Sequence, residues 1–458
     1  MSFLEKVYNQ SPIFFQNVMV TLAGHQKNRQ RYGKIYREHR LFLADFDTWS
    51  YEKQKDYQNK ELVKFIGYAV KYSPFYQRLY ENVDLSTIQG VQDLKKLPVV
   101  NKEMLRKEMQ QVVTIPQKGA IQEKTGGTTG KSLVIFRTVE DSMKRMAMLD
   151  HFKSRLGFEN RKMKRATFNG KPIVPPNQKK KVFWRYNATM KQMIYTPFHM
   201  TEKTMKYYVA SLNKYQPLAI DGYFTAMYDL AQYIERHNLK LTFSPVAIFP
   251  TSETLTLQGR ELLERVFGCK VYDQYASGEG APFVTECRCR RLHMELASGV
   301  FEHFEAGSDE ILVTSFTTHG TPLIRYQIGD AMSFSDQGPS TCCCKLQGPI
   351  VKEIRGRKND FLYTSQGAKV YAINVGGLIR DLGNAVIRIQ VIQDQLDEVI
   401  ILLEIDKALY EPKHDEMLKA EFQRRFGADT RLIIKHVDAI PREASGKFRM
   451  IKNNVNTK

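Results

Sequence analysis

Hydrophobic positions along the chain divide it into stretches of different texture. Between Tyr51 and Tyr80 the apolar residues Leu62, Phe65, Ile66, Ala69 and Val70 fall three and four apart, the spacing that lines one face of an α-helix. Helical patterning of this kind prevails from the start to about residue 110. Near Gly119 it gives way to short strand-like runs, Ala120-Ile121-Gln122 and Leu133-Val134-Ile135-Phe136. Helices and strands then alternate: a helix over 201–215, a strand at Leu218-Ala219-Ile220, a helix over 223–237 and a strand at Val246-Ala247-Ile248-Phe249. Alternation of this kind predicts a βαβ-type sheet covered by helices. Past about residue 300 the strands lie closer together and predict a smaller β-rich section. After Gly356 a shorter unit begins, with strands at 386–389 and 399–402 and a helix over 413–426. The predicted fold class is α/β: a large N-terminal domain of layered βα sheets with a helical front end and a β-rich section, then a small α+β C-terminal domain.

A length of 458 residues calls for two or three core units. The 42% apolar and 26% charged fractions are those of an ordinary globular protein. Lys and Arg outnumber Asp and Glu by 68 to 49, a formal charge of +19, which favours phosphates, acidic cofactors or anionic surfaces. Zinc-finger spacings and RNP-like aromatic motifs are missing, so no nucleic-acid partner is expected. The N-terminus shows no signal-peptide pattern, and its longest apolar run, near Val18 to Gly24, is too short to cross a bilayer. Phe14, Phe15, Val18 and Met19 precede the basic stretch Lys27-Asn28-Arg29-Gln30-Arg31; the pattern fits a packed helix with a solvated basic face, or a peripheral contact with anionic lipid. Six cysteines, five of them in two short clusters, do not form the framework of a secreted disulfide protein, and a cytoplasmic location is expected.

The first stretch with chemical content is Lys124-Thr125-Gly126-Gly127-Thr128-Thr129-Gly130-Lys131-Ser132. Its glycines let backbone N–H groups approach a polyanion, while threonine hydroxyls and lysines add donors and charge. The ending resembles a Walker A loop, but that motif needs Gly at position 125 and must open a helix, whereas a strand follows here. A flexible loop between two strands fits better. On its own the stretch reads equally well as a Gly-rich hairpin turn.

The order Thr-Gly-Gly-Thr-Thr-Gly-Lys followed by a strand resembles the signature loop of the adenylate-forming superfamily, and further elements follow in that family's order. Asp273-Gln274-Tyr275-Ala276-Ser277-Gly278-Glu279-Gly280 resembles the Tyr-Gly-x-Thr-Glu element. It implies Tyr275 as adenine platform and Glu279 as Mg²⁺ ligand, and with Ala276 and Gly278 departing from the pattern, Ser277 is the candidate hydroxyl. Thr251-Ser252-Glu253 is a weaker match to the segment lining the nucleotide and acyl pocket. Pro322-Leu323-Ile324-Arg325-Tyr326-Gln327-Ile328-Gly329-Asp330 is similar to the Tyr-Arg-x-Gly-Asp element, which implies that Asp330 accepts the ribose hydroxyls. Gly356-Arg357-Lys358-Asn359-Asp360 resembles the hinge: Arg357 would contact ribose or phosphate, and Asn359 stands where the family usually carries Asp. Pro441-Arg442-Glu443-Ala444-Ser445-Gly446-Lys447 resembles the C-terminal element whose lysine, here Lys447, bridges the attacking carboxylate and the α-phosphate. The resemblance thus divides the chain into 1–355, a hinge at 356–360 and a small mobile domain at 361–458.

Within the superfamily the chain resembles the phenylacetate-CoA ligase and CapK-like branch, through Ser73-Pro74-Phe75-Tyr76 and Tyr215-Gln216-Pro217-Leu218-Ala219-Ile220-Asp221-Gly222-Tyr223. The cysteines add a metal expectation. Cys287-x-Cys289-x-x-x-His293 and Cys342-Cys343-Cys344 flank predicted strands and suit a closed, structural, tetrahedral Zn²⁺ site. Cys287, His293, Cys342 and Cys344 are the expected ligands, with Cys343 turned away by strand alternation and Cys289 as the alternative to Cys287. Buried free thiols are the competing reading, and Cys269 is expected in the core.

The resemblance implies an ATP-dependent ligase working in two half-reactions. A carboxylate attacks Mg·ATP to give an acyl-adenylate and pyrophosphate, and the acyl group then passes to CoA. The alternatives are an amine acceptor in surface-polysaccharide biosynthesis and a non-catalytic scaffold role. Phe198, His199, Tyr223 and Phe224 either wall an acyl pocket, which would suit an aryl acid, or belong to the core.

Overall fold

In the computed structural model the described residues are 3–124, 133–335, 342–354 and 361–455, apart from 172, 176, 202, 254, 256, 307, 365, 367, 368, 372–381, 383, 384, 406, 428, 439 and 441–450. The front end is helical, as its periodicity predicts: Phe3–Gln10, Ile13–Arg29, Lys34–Phe46, Tyr51–Tyr72 and Pro74–Leu79. Ser73 separates the last two because its hydroxyl accepts the Tyr76 amide as an N-cap just before Pro74. The buried face Leu62, Phe65, Ile66 and Ala69 packs into the core of an antiparallel sheet.

Two large sheets follow. The first has six strands in the order Trp184–Asn187, Gln192–Tyr195, Arg165–Phe168, Ala219–Tyr223, Ala247–Thr251, Lys270–Val271; all pairings are parallel except that of the first two strands. The four-residue strand Arg165–Phe168 is buried throughout, as expected of a strand with helices on both faces. Helices Met205–Tyr215, Phe224–Arg236 and Leu257–Phe267 cover it. The predicted helix start at Thr201 moves to Met205, because the Thr204 hydroxyl is drawn into a turn with Thr201 and the His199 carbonyl.

The second sheet has eight strands, ordered Gln274–Tyr275, Val284–Glu286, Leu292–Met294, Ile350–Ile354, Tyr326–Phe334, Glu310–Ser315, Gly299–His303, with Val100–Asn101 parallel to Tyr326–Phe334. Residues 121–124 and 134–137 form an antiparallel hairpin on either side of the glycine-threonine loop. Near the C-terminus a four-stranded sheet, ordered Arg431–Val437, Glu398–Ile405, Val386–Gln395, Ile451–Asn453, packs against helix Pro412–Phe426 around its own core of Val391, Ile401, Leu403, Leu418 and Phe422. The fold class is therefore the α/β one the pattern predicts. Among the described residues no helix is long and apolar enough to cross a membrane.

Candidate functional site

The chain passes from the first sheet to the second through Tyr272-Asp273, leaving one at Lys270–Val271 and entering the other at Gln274–Tyr275. Tyr275 therefore stands at the junction of the two sheets. Asp330 reaches the same place from the middle of strand Tyr326–Phe334, where pairing slips: Leu312 faces Gln327 but Glu310 faces Ala331. The extra residues form a bulge beside Asp330, and Gly329 makes it by adopting φ +76°, which a side chain would oppose. The Tyr275 hydroxyl donates to Asp330 Oδ2 at 2.8 Å across 55 residues of sequence. Two elements proposed from separate motifs meet.

Past Tyr275 the chain makes a tight turn. Ser277 Oγ accepts from the amides of Gly280 and Ala281 at 3.1 and 3.0 Å, so this hydroxyl caps the turn. Arg145 fixes it from below, donating through Nη1 to the carbonyls of Gly280 and Ala281 and to Thr317 Oγ1. It also lies over the Phe283 ring at 4.6 Å. Burial presses its pKa down to about 9, and it pairs with carbonyls and no carboxylate in these contacts. Arg137 ends the hairpin strand Val134–Arg137; it donates to the Gly278 carbonyl at 3.2 Å and pairs with Glu123 at 2.9 Å. Thus the strand leaving the glycine-threonine loop is tied directly to the turn that carries Glu279.

Glu279 fits the role of metal ligand. Its Oε1 lies 3.8 Å from Lys102 Nζ, and its buried Oε2 has no hydrogen-bond partner among the described residues. A desolvated, unpaired carboxylate oxygen is costly unless a cation or donor joins it. Lys102 itself comes from the start of helix Lys102–Lys107, held there by the Asn101 cap and by the pairing of Val100–Asn101 with Tyr326–Phe334. Sequence reasoning missed Lys102, Arg137 and Arg145. Lone basic residues in helices and strand ends carry no pattern, and only the Asn-Lys cap marks Lys102 at all.

The cysteine clusters come together as expected. One sulfur each from Cys287, Cys342 and Cys344 and one nitrogen of His293 lie within 4.8 Å of one another. Cys287 Sγ is 3.6 Å from Cys342 Sγ, and Cys344 Sγ is 3.7 Å from His293 Nε2. Tetrahedral Zn²⁺ with Zn–S of about 2.3 Å and Zn–N of about 2.0 Å requires ligand separations of about 3.5–3.8 Å. Burial holds the pKa of His293 below its usual value, keeping the imidazole neutral as a ligand must be. The residues therefore fit Zn²⁺. Cys289 and Cys343 are joined as a disulfide, so Cys287 rather than Cys289 completes the set. Cys269 is partly buried against the first sheet's core.

Of the remaining candidates, Thr125, Gly126, Gly127, Thr128, Thr129, Gly130, Lys131, Arg357, Asn359 and Lys447 lie outside the described residues. Phe224 is buried in the core of the first sheet with Tyr223 packed against it, and Phe198 packs into the C-terminal core. His199 stacks on Phe183. These four residues take the core alternative.

The layered sheets, with this junction between them, have the fold of the adenylate-forming ligases. The chain is similar to crystal structures of 2-hydroxyisobutyryl-CoA ligase. For the complex with R3-HIB-AMP in the postadenylation state the TM-score is 0.56 at 15% identity, covering 89% of this chain and 91% of that one. A thioesterification-state structure with 2-HIB-AMP and CoA gives 0.56 at 16% identity, with the same coverage. The profile of the CapK C-terminal domain matches residues 362–454. Over 455 residues the chain is 37% identical to Protein CapK of Staphylococcus aureus, covering 99% of this chain and 100% of that one. Over 427 residues it is 22% identical to phenylacetate-coenzyme A ligase of Thermus thermophilus, covering 83% and 88%. The chain belongs to the CapK family.

Proposed function

We propose that this protein activates a small carboxylic acid as an acyl-adenylate, consuming ATP and releasing pyrophosphate, and then passes the acyl group to CoA. The reading is carried by the contact of Tyr275 with Asp330 at 2.8 Å, just ahead of the turn of Glu279, whose Oε2 has no hydrogen-bond partner among the described residues. In this account the Tyr275 ring stacks on adenine and Asp330 accepts the ribose hydroxyls. Glu279 would hold Mg²⁺, which when bound neutralises phosphate charge. Residues 125–131 wrap the phosphates, and Arg137 and Arg145 keep the Glu279 turn in place while they do so. Lys447 stabilises the charge that builds between carboxylate and α-phosphorus. The segment 361–458 then swings about Asn359, withdrawing Lys447 and admitting the second nucleophile. Zn²⁺ on Cys287, His293, Cys342 and Cys344 is structural, since four protein ligands leave no open position. Solved structures of the same fold carrying an acyl-AMP alone and with CoA support two half-reactions. ATP and CoA as substrates fit a cytoplasmic location.

A second reading is favoured by the greater likeness to Protein CapK than to the phenylacetate ligase, 37% against 22%. In it the acceptor is an amine of a surface-polysaccharide precursor and the product an amide. The test is pyrophosphate release over a panel of acids, with CoA and then amino sugars or amino acids as acceptors. Release with CoA consumed supports the first reading; release with CoA untouched and an amine consumed supports the second. No release with any acid would favour the scaffold alternative.

A further inference from the structure

Between helix Val139–Arg155 and the first sheet lies a cavity of about 280 Å³. Gln274 and Ala276, the neighbours of Tyr275, line it together with Thr251 at the end of strand Ala247–Thr251. The helix contributes Ser142, Arg145, Met146, Leu149 and Lys153, one face at helical spacing. An acyl group attached to a nucleotide at Tyr275 would extend into this space.

Met146, Leu149, Met190 and Phe283 give the wall an apolar part, and charged side chains form much of the rest. Among the described residues Arg31, Arg137, Arg145, Lys153 and Arg165 line it beside two acids, Glu123 and Asp221. At one end Lys153 and Arg165 both pair with Asp221 Oδ2, at 2.8 and 3.0 Å, while Thr167 donates to Asp221 Oδ1 at 2.5 Å. Asp221 is held at this point by Gly222, whose φ of +124° brings the backbone so close to Phe168 that a Cβ would sit 1.8 Å from its carbonyl oxygen. Three lining residues more than nine-tenths buried each retain an atom without a hydrogen-bond partner among the described residues: Arg137 Nε, Arg165 Nε and Asn160 Oδ1. A purely structural ion network would satisfy its own buried atoms. Here two donors and one acceptor are left over, and the group that serves both kinds is a hydroxyl. A second carboxylate would suit the arginines but meet Asn160 Oδ1 and Asp221 with repulsion.

We propose that the acid activated here is a small hydroxyl-bearing one, of the aldonic or uronic type, rather than an aryl acid. This rests on the adenylation reading above. The test is pyrophosphate release by the unaltered chain with a panel of sugar acids and short hydroxy acids beside phenylacetate and benzoate. The expected result is at least a hundredfold preference in kcat/KM for a hydroxylated acid. In Arg165→Gln, checked for folding by thermal melting, KM for that acid should rise tenfold or more with KM for ATP unchanged. Equal or better turnover of an aryl acid overturns the substrate class and leaves adenylation standing. Absence of release with every acid overturns both.

A separate observation concerns helix Ile13–Arg29, whose polarity is inside out. Its inner face is polar and serves the edge strand Trp184–Asn187 and the turn after it: Gln16 Oε1 accepts from Arg185 Nε, Asn17 Oδ1 from the Tyr186 amide and Thr21 Oγ1 from the Ala188 amide. Its outer face carries Phe14, Phe15, Val18 and Leu22, at 71%, 57%, 40% and 65% exposure. Exposed Lys27, Arg29, Lys34 and Arg37 continue this surface, and the acids of the first 41 residues, Glu5 and Glu38, are paired with Arg424 and Lys34. An apolar stripe beside an excess of cations matches an anionic bilayer, while the same excess would repel a second copy. The geometry points to this helix as a docking surface for anionic lipid. Co-sedimentation with phosphatidylglycerol vesicles, but not phosphatidylcholine vesicles, is expected, with at least a tenfold loss in Phe14→Ser/Leu22→Ser. No binding to anionic vesicles, or binding indifferent to the double substitution, overturns the proposal. So does a dimer in solution that the substitution dissolves.

Discussion

Glu279 is the residue whose surroundings argue most plainly for a ligand, because one of its buried oxygens has no partner among the described residues. Glu279→Gln keeps the shape and removes the charge; ATP–pyrophosphate exchange should fall at least a hundredfold while the melting temperature holds or rises. A second residue, Asp273, predicts a pH effect. Burial pushes its pKa up to about 7, above the usual carboxylate value. The folded form therefore holds this proton more tightly than the unfolded chain does. Stability from that preference is full below about pH 4 and is lost as pH rises through 7, an effect of at most ~4 kcal/mol. In Asp273→Asn, which can still accept the Gln274 amide, the melting temperature at pH 8 should rise by a few degrees, with little change at pH 4. Equal shifts at both pH values would contradict this. At this scale Tyr275, Glu279 and Asp330 were legible because each sits in an ordered motif. Arg145 and Lys102 were not, since a cation's partner carbonyls or carboxylate lie far away in sequence.

Elements were legible where periodicity was long and less so where a side chain decides a boundary, as Thr204 does before Met205. The bulge at Gly329 could be suspected from a glycine inside a strand, but the slip of register beside Asp330 is a property of two strands together. The same holds for the metal cluster: spacing offered Cys287 or Cys289, and the bond of Cys289 to Cys343, 54 residues away, leaves Cys287 to complete the set. If this cluster pins those strands, purified protein should carry about one zinc per chain by mass spectrometry. Chelation or Cys342→Ser should lower the melting temperature by several degrees, since metal binding to the native state alone adds to stability. A metal-free preparation that melts unchanged would remove the structural role.

At the scale of the molecule, the site exists because two sheets share one chain crossing at Tyr272-Asp273, and the hairpin 121–124/134–137 is tied to it through Arg137. Alternating elements announced the first sheet, and closely spaced strands past about residue 300 announced part of the second, which also takes in Val100–Asn101 and three strands between 274 and 294; that Tyr275 and Asp330 converge was expected only from family resemblance, because nothing in local pattern states which strand ends meet. In the proposed reaction Lys447 of the C-terminal segment meets this junction and is later withdrawn. Acyl-adenylate formation is measured by acid-dependent exchange of labelled pyrophosphate into ATP, compared between the unaltered chain and Lys447→Ala. Exchange should require the acid and fall at least a hundredfold in the variant; exchange undiminished in Lys447→Ala would refute adenylation through this lysine.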